Sequence, residues 1–305
     1  MTGSPAWLIA GPTASGKSAV ALALARAVGG EIVAADSMQL YGDLRVLTAR
    51  PTPEDEATAP HHLFGVADAA LSWSVGRWQA AALPILEDIA ARGRQAIVVG
   101  GTGLYFRALT RGLAAIPPVP AEVRTVVEAD YDALGEAAIR ARLARVDPAA
   151  EARIAPADRQ RLTRALEVFE ASGRALTAWQ ADTVPPLPRE AWRGVVLTLP
   201  RAELYTRVEV RLETMVAGGA LAEVETLVAR GLDPKLPAMK ALGVASFAAQ
   251  LAGRLTPAQA LSDAKAETRR YAKRQIAWFN HQAAGWPRAE ADARAVGKIL
   301  RETPS

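Results

Sequence analysis

No cysteine occurs anywhere in this chain, so disulfides, thiolate metal sites and a cysteine nucleophile are all excluded. Aromatic residues are sparse at 6%, while alanine is abundant, a balance that favours helices over an all-β architecture. Of three histidines, two are the adjacent pair His61-His62. Neighbouring side chains point in different directions and no third ligand accompanies them, so they read as loop residues. No uninterrupted apolar run approaches a membrane span. Strand-like sequence begins at Ala6, which leaves no room for a secretory leader. The expectation is a soluble, cytoplasmic protein with no membrane association. Internal repeats and low-complexity tracts are missing, as is an N-K-x-D motif, which weighs against a GTPase. The net charge is small. The net +4 is concentrated in residues 191–305, which carry +6, and this points to a polyanionic partner for that region.

Half of the 305 residues are hydrophobic, enough for a sizeable core, and the length suggests two domains or one domain with an insertion. The most informative segment is Gly11-Pro12-Thr13-Ala14-Ser15-Gly16-Lys17-Ser18, which fits G-x-x-x-x-G-K-[ST] at every fixed position. It follows the apolar run Ala6-Trp-Leu-Ile-Ala10 and opens a helix-like stretch from Lys17 to Val28. In that strand–loop–helix setting, backbone N–H groups close on phosphate oxygens at the positive end of a helix. Lys17 would bridge two phosphates and the Ser18 hydroxyl would ligate Mg²⁺. The ligand is a di- or triphosphate, and the motif does not say which.

Strand-like runs Ile32–Ala35 and Ala96–Val99 flank a helical pattern over Ser74–Arg92, so a parallel sheet with its site at the carboxyl ends of the strands is expected. Residues 42–72 read as an irregular active-site loop region. Two proline clusters, Ile116–Pro120 and Val184–Pro188, bracket a segment with helical patterns only. The division expected is a P-loop kinase-like α/β core over residues 1–115, an all-helical insertion over 116–188, and the remainder of the core over 189–305. Gly194–Leu199 resumes the sheet, helices follow from Ala202 to Arg230, and a last helix from Pro257 to His281 starts at a Thr256/Gln259 capping box.

Three constellations carry chemistry. Asp36 ends the second strand, facing the phosphate loop, where it can hold a metal through water or act as a general base. Gly100-Gly101-Thr102-Gly103 ends the third strand and offers a hydroxyl to the same cleft. Arg269, Arg270, Lys273 and Arg274, interleaved with Tyr271 and Trp278, are the densest basic and aromatic cluster, a composition suited to nucleic acid. Arg207 and Arg211 share a helix face, which by spacing alone reads as solvated surface. A small-metabolite kinase and a non-catalytic nucleotide-dependent RNA-binding protein remain compatible with parts of this set.

Taken together the chain resembles bacterial tRNA dimethylallyltransferases, also called tRNA isopentenyltransferases. The matching pieces are the phosphate loop, Asp36–Tyr41, Gly100–Phe106, Gln160–Val168, Arg207–Arg211, Gly231-Leu232, Lys240–Gly243 and Ala272–Trp278. The resemblance implies transfer of a dimethylallyl group from dimethylallyl diphosphate to an adenosine beside the tRNA anticodon. Asp36 then becomes the base, Thr102 a catalytic threonine and Arg211 a diphosphate ligand, with Mg²⁺ on Ser18. Contacts to tRNA fall on Asp36, Ser37, Met38, Gln39 and Thr102. Further ones fall on Arg124, Gln160, Arg161, Leu162, Thr163 and Arg164 in the insertion, which clasps the anticodon stem-loop. Others lie at Lys240, Gly243, Lys273, Arg274, Gln275 and Trp278, and a monomer is expected. The chain departs from the family pattern at Leu47, where glycine is usual, at Arg50 for lysine, at Val244 for tyrosine and at Asn280 for arginine.

Overall fold

Ala6–Ala10 is too apolar for a strand with one wet face, and both of its faces are buried. In the computed structural model, which describes residues 4–291 together with 296, 297 and 299, this segment is strand β1. Trp7 and Ile9 enter one core layer, and Ala6, Leu8 and Ala10 enter another, the alternation of an extended chain. Strands β2 (Glu31–Ala34), β3 (His61–His62), β4 (Ala96–Gly100), β5 (Trp192–Thr198) and β6 (Arg288–Glu290) join it. The sheet runs β3-β2-β4-β1-β5-β6 and every pairing is parallel. Parallel sheets need helices on both faces, which accounts for the continuous apolar runs in β1 and β4.

The chain divides into two compact units, residues 1–110 with 187–305, and residues 111–186. In the first unit, α1 (Lys17–Val28) covers one face of the sheet through Val20, Ala21, Leu24 and Ala25. The short α2 (Pro53–Thr58) starts at a Thr52/Asp55 capping box. On the other face lie α3 (Val75–Ala91), with Trp78, Ala82, Leu86 and Ile89 inward, and α4 (Gly103–Arg111), with Tyr105, Phe106 and Leu109 inward. The Trp78 indole stacks on Tyr105 at 4.1 Å and donates to the Ala34 carbonyl at 2.8 Å, tying both helices to β2.

The second unit holds α5 (Ala121–Val146), α6 (Pro148–Glu151), α7 (Arg159–Ser172) and α8 (Leu176–Ala181). Its core is Val127, Ile139, Leu143, Ala150, Leu162, Ala165 and Leu166. Arg140 fastens it by pairing with Glu136 and Glu151 and by donating to the carbonyls of Ile154 and Ala155.

Among the described residues, the first unit continues with α9 (Arg201–Ala217), α10 (Ala220–Ala229), α11 (Val244–Leu251) and α12 (Pro257–Gln282). Gly219, at φ 102°, divides α9 from α10, a backbone angle that side-chain-bearing residues rarely adopt. The Thr256/Gln259 capping box opens α12 as its sequence indicates. Two features differ from expectation. His61-His62 form an edge strand of the sheet, with His62 paired to buried Glu31, and the 42–72 stretch contains α2 as well as β3. A two-residue strand and a six-residue helix are too short to show any periodicity in sequence.

Candidate active site

The loops after β1, β2 and β4 meet at one edge of the sheet, where the strand order reverses beside β1. Two conformational demands shape the first of them. Gly16 caps α1 at φ 86°, and Ala14 is also left-handed at φ 62°. Gly11 leaves room for the buried Ser15 hydroxyl, which a Cβ at position 11 would meet at 2.8 Å. Lys17 donates to the Pro12 carbonyl at 3.3 Å, so its ammonium already lies over the loop.

The Gly100–Gly103 turn is glycine-rich because its neighbours take the space. A Cβ on Gly100 would overlap the Ala35 carbonyl, one on Gly101 the Gln275 amide, and one on Gly103 the Trp278 ring. Thr102 donates its N–H to the Ala35 carbonyl at 3.1 Å and accepts the Ser37 N–H on its hydroxyl at 2.9 Å. Asp36 accepts the Met38 N–H at 3.1 Å, which fixes the turn that carries it. Thr102 and Asp36 thus sit on two mutually bonded turns.

Electrostatics converge on Asp36. Burial lowers the Lys17 ammonium to about 8, opposed by the Asp36 charge and reinforced by Arg211. The lysine is partly exposed to solvent but closely surrounded by protein atoms. Arg211 is likewise lowered by burial and held up by Asp36. The hydroxyls of Tyr105 and Tyr271 are pushed well above the usual tyrosine range, first by burial and then by the Asp36 charge, so both are neutral donors at physiological pH. The Tyr271 hydroxyl is in hydrogen-bond contact with Thr102 and Gln275.

A cleft of about 220 Å³ opens above these groups. Thr13 and Ala14 of the phosphate loop line it together with Asp36, Ser37, Met38, Lys240, Glu267, Tyr271 and Arg274. One wall comes from α9, where Val208, Arg211, Leu212 and Met215 recur at helical spacing. Arg211 therefore faces a site and not bulk solvent, contrary to the reading of spacing alone. The apolar residues beside it and Leu47 are site residues that periodicity would assign to the core. Among the described residues no cluster of three or more histidine and acidic side chains can hold a metal. Ser18, exposed on the first turn of α1, nevertheless fits Mg²⁺, which takes one or two protein oxygens and completes its shell with phosphate and water.

The residues implicated in tRNA contact separate into groups. Gln39 donates to the carbonyls of Thr48 and Ala49, holding a loop. In the second unit, Arg124, Gln160 and Arg161 are exposed and Arg164 is partly buried beside Glu167. Leu162 and Thr163 are turned inward by the helical repeat, Leu162 into the core and the Thr163 hydroxyl onto the Arg159 carbonyl, so neither offers its side chain to a nucleic acid. Lys240 is exposed at the cleft, while Gly243 is buried at φ 87° and donates to Glu267 at 3.2 Å. Lys273 and Arg274 are exposed, with Arg274 over the Tyr271 ring at 5.4 Å. Gln275 is buried and bridges two active-site loops, accepting from Thr13 N–H at 2.8 Å and donating to the Gly101 carbonyl at 2.9 Å. Trp278 is partly buried against Gly103. Of the departures, Val244 is core, Asn280 is exposed, and the Arg50 guanidinium fills the space above Gly65.

A family model for IPP transferase matches residues 39–282, and one for isopentenyl transferase matches residues 4–61. A tRNA dimethylallyltransferase of Phenylobacterium zucineum is 62% identical over 286 residues, 94% of this chain and 92% of that protein. Its counterpart in Caulobacter sp. is 61% identical over 93% of this chain and 92% of its own length. The chain belongs to the tRNA dimethylallyltransferase family. Solved structures agree. The tRNA isopentenylpyrophosphate transferase of Bacillus halodurans is 31% identical with a TM-score of 0.69, covering 97% of this chain and 93% of that one. A eukaryotic dimethylallyltransferase acting on tRNA is 25% identical with a TM-score of 0.83, covering 95% and 74%. No described helix is long and apolar enough to cross a membrane.

Proposed function

We propose that this protein transfers the dimethylallyl group of dimethylallyl diphosphate to N6 of the adenosine 3′ of the tRNA anticodon, giving N6-isopentenyladenosine and diphosphate. The observation that carries this reading is a single cleft shared by phosphate-loop residues, Arg211, the Asp36 carboxylate and an apolar wall on α9. Phosphate-binding groups, a base and a hydrocarbon surface are the three things the reaction needs together.

The allylic C1–O bond breaks with its electron pair leaving on the diphosphate, so stabilising that leaving group is the main catalytic task. Phosphate-loop N–H groups, Lys17 and Arg211 neutralise it. Mg²⁺, held by Ser18 and diphosphate oxygens, would add further charge neutralisation there. Val208, Leu212 and Met215 keep water from the cationic carbon. The adenine amino nitrogen bonds to C1, and Asp36 takes the proton this nitrogen loses. Thr102, bonded to Ser37, orients the turn carrying Asp36 and the incoming amine. A stacked adenine cannot enter such a cleft, so the base is extruded from the loop.

Lys240, Lys273 and Arg274 supply cationic surface to tRNA phosphates, and the 111–186 unit clasps the anticodon stem-loop with Arg124, Gln160 and Arg161. The protein acts as a cytoplasmic monomer. The test is incubation with unmodified tRNA, Mg²⁺ and radiolabelled dimethylallyl diphosphate or ATP. Label from the allylic donor appearing in tRNA is expected. Phosphate transfer from ATP without prenylation would replace this reading with a kinase, and tRNA binding without any transfer would leave an RNA-binding protein.

A further inference from the structure

The cleft has a wall that belongs to no regular element. Residues 43–50 form a compact turn that contributes Leu47 and Thr48 to the lining. Three consecutive backbone N–H groups of this turn point at one side chain. Glu223 on α10 accepts from Arg45 at 2.8 Å and Val46 at 2.7 Å through Oε1, and from Leu47 at 3.0 Å through Oε2. Successive N–H groups turned to one side make a concave anion site, here filled from within the protein. On the other side of the turn, the Gln39 amide donates to the carbonyls of Thr48 and Ala49 at 3.0 and 2.7 Å. Ala49 is left-handed at φ 50°, a conformation an alanine keeps only when its surroundings hold it.

We infer that Glu223 is a positioning residue for the transfer reaction: by clamping the 45–47 amides it sets the Leu47–Thr48 wall against the hydrocarbon part of the donor. It touches neither phosphate nor tRNA itself. This rests on the donor assignment proposed above. The phosphate loop makes its contacts without this turn, so the two halves of the donor should respond separately. Leu47 gives the wall a side chain that lines the cleft, so its exact placement matters. A misplaced wall leaves the allyl group loosely held while the diphosphate stays bound.

Steady-state kinetics of Glu223→Ala, with calorimetry of inorganic diphosphate, tests this. The KM for dimethylallyl diphosphate should rise about tenfold, since placement errors near a reacting centre are costly. Affinity for inorganic diphosphate and the KM for tRNA should hold. Leu47→Ala should reproduce the donor effect, and the double variant should be no worse than either alone, because both act through one wall. Hydrogen exchange at the Arg45, Val46 and Leu47 amides should accelerate in Glu223→Ala and in the isosteric Glu223→Gln, which serves if the alanine variant folds poorly. An unchanged donor KM, or an equal loss of inorganic diphosphate affinity, overturns the inference. Should wild-type protein bind diphosphate yet transfer nothing, the function proposed above fails, and unchanged exchange at the three amides would still decide against the clamp.

Discussion

Gln275 and Thr13 are 262 positions apart in the chain, yet the side-chain oxygen of one accepts the backbone N–H of the other at 2.8 Å. The same amide donates to the Gly101 carbonyl at 2.9 Å. One buried side chain on α12 therefore joins the phosphate loop to the turn bearing Thr102. Replacing Gln275 with leucine leaves a donor and an acceptor unpaired in a dry setting, a loss of roughly 2–4 kcal/mol. Chemical denaturation should read this as a lowered midpoint with an unchanged slope. Diphosphate affinity should fall as well, because the loop loses its brace. A variant as stable as wild type would mean water takes over both contacts.

Lys17 makes the free protein sensitive to alkaline pH. Its ammonium is lowered from 10.5 to about 8, chiefly by burial. Inorganic diphosphate binding should weaken as pH rises through about 8, and Lys17→Arg should abolish that step. The stability effect has the opposite sign. Because the unfolded chain holds this proton more tightly, the cost of charging Lys17 is present below about 8 and disappears as pH rises toward 10.5. Lys17→Met should raise the melting temperature of free protein at neutral pH while eliminating diphosphate binding. A lowered melting temperature at neutral pH would contradict the assigned desolvation.

Asp36 supports the Lys17 and Arg211 charges, and in the proposed mechanism it also takes the proton from the amine. Asp36→Asn keeps an oxygen for the Met38 N–H and should fold. Single-turnover transfer should drop by roughly 10²-fold or more, with tRNA affinity intact. Recovery of the rate by excess Mg²⁺ alone would instead assign Asp36 to an outer metal shell.

The exposed Lys273 and Arg274 of α12 should behave as phosphate contacts. Lys273→Ala is expected to raise the tRNA KM and to reduce the slope of log affinity against log salt by about one. Rates at saturating tRNA should be nearly unchanged, since such contacts exist equally in ground and transition states. Filter binding at two salt concentrations decides it. Unaltered affinity at both would shift the tRNA contact to other surfaces.

The phosphate loop, Asp36 and the Gly100–Gly103 turn were legible in sequence because their chemistry lies within a few residues of a strand end. Lys17–Val28 and the Thr256 start of α12 were legible because caps and periodicity are local signals. Gln275 and Glu223 were not. Nothing in the neighbourhood of a glutamine in a basic helix distinguishes a tRNA ligand from a brace on a loop formed 262 positions earlier. Leu162 and Thr163 share a motif with exposed Gln160 and Arg161, and only the packing of α7 separates inward from outward. Val208, Leu212 and Met215 have core periodicity, and their second role as a cleft wall depends on the neighbouring loops stopping short of them.

The strand order also fixes a timetable for synthesis. β1 lies inside the sheet between β4 and β5, so one of its edges stays unpaired until residues 192–198 have left the ribosome. At ordinary translation speeds the delay from Ala10 to Thr198 is on the order of 10–40 s. Through that interval the nascent phosphate loop hangs from a half-built sheet, while residues 111–186, which pair with no strand, can already be compact. The late-made β5 and α12 then close the edge and brace the loop in turn, so a chain released early would carry the complete phosphate-binding motif without the scaffold that gives it a shape.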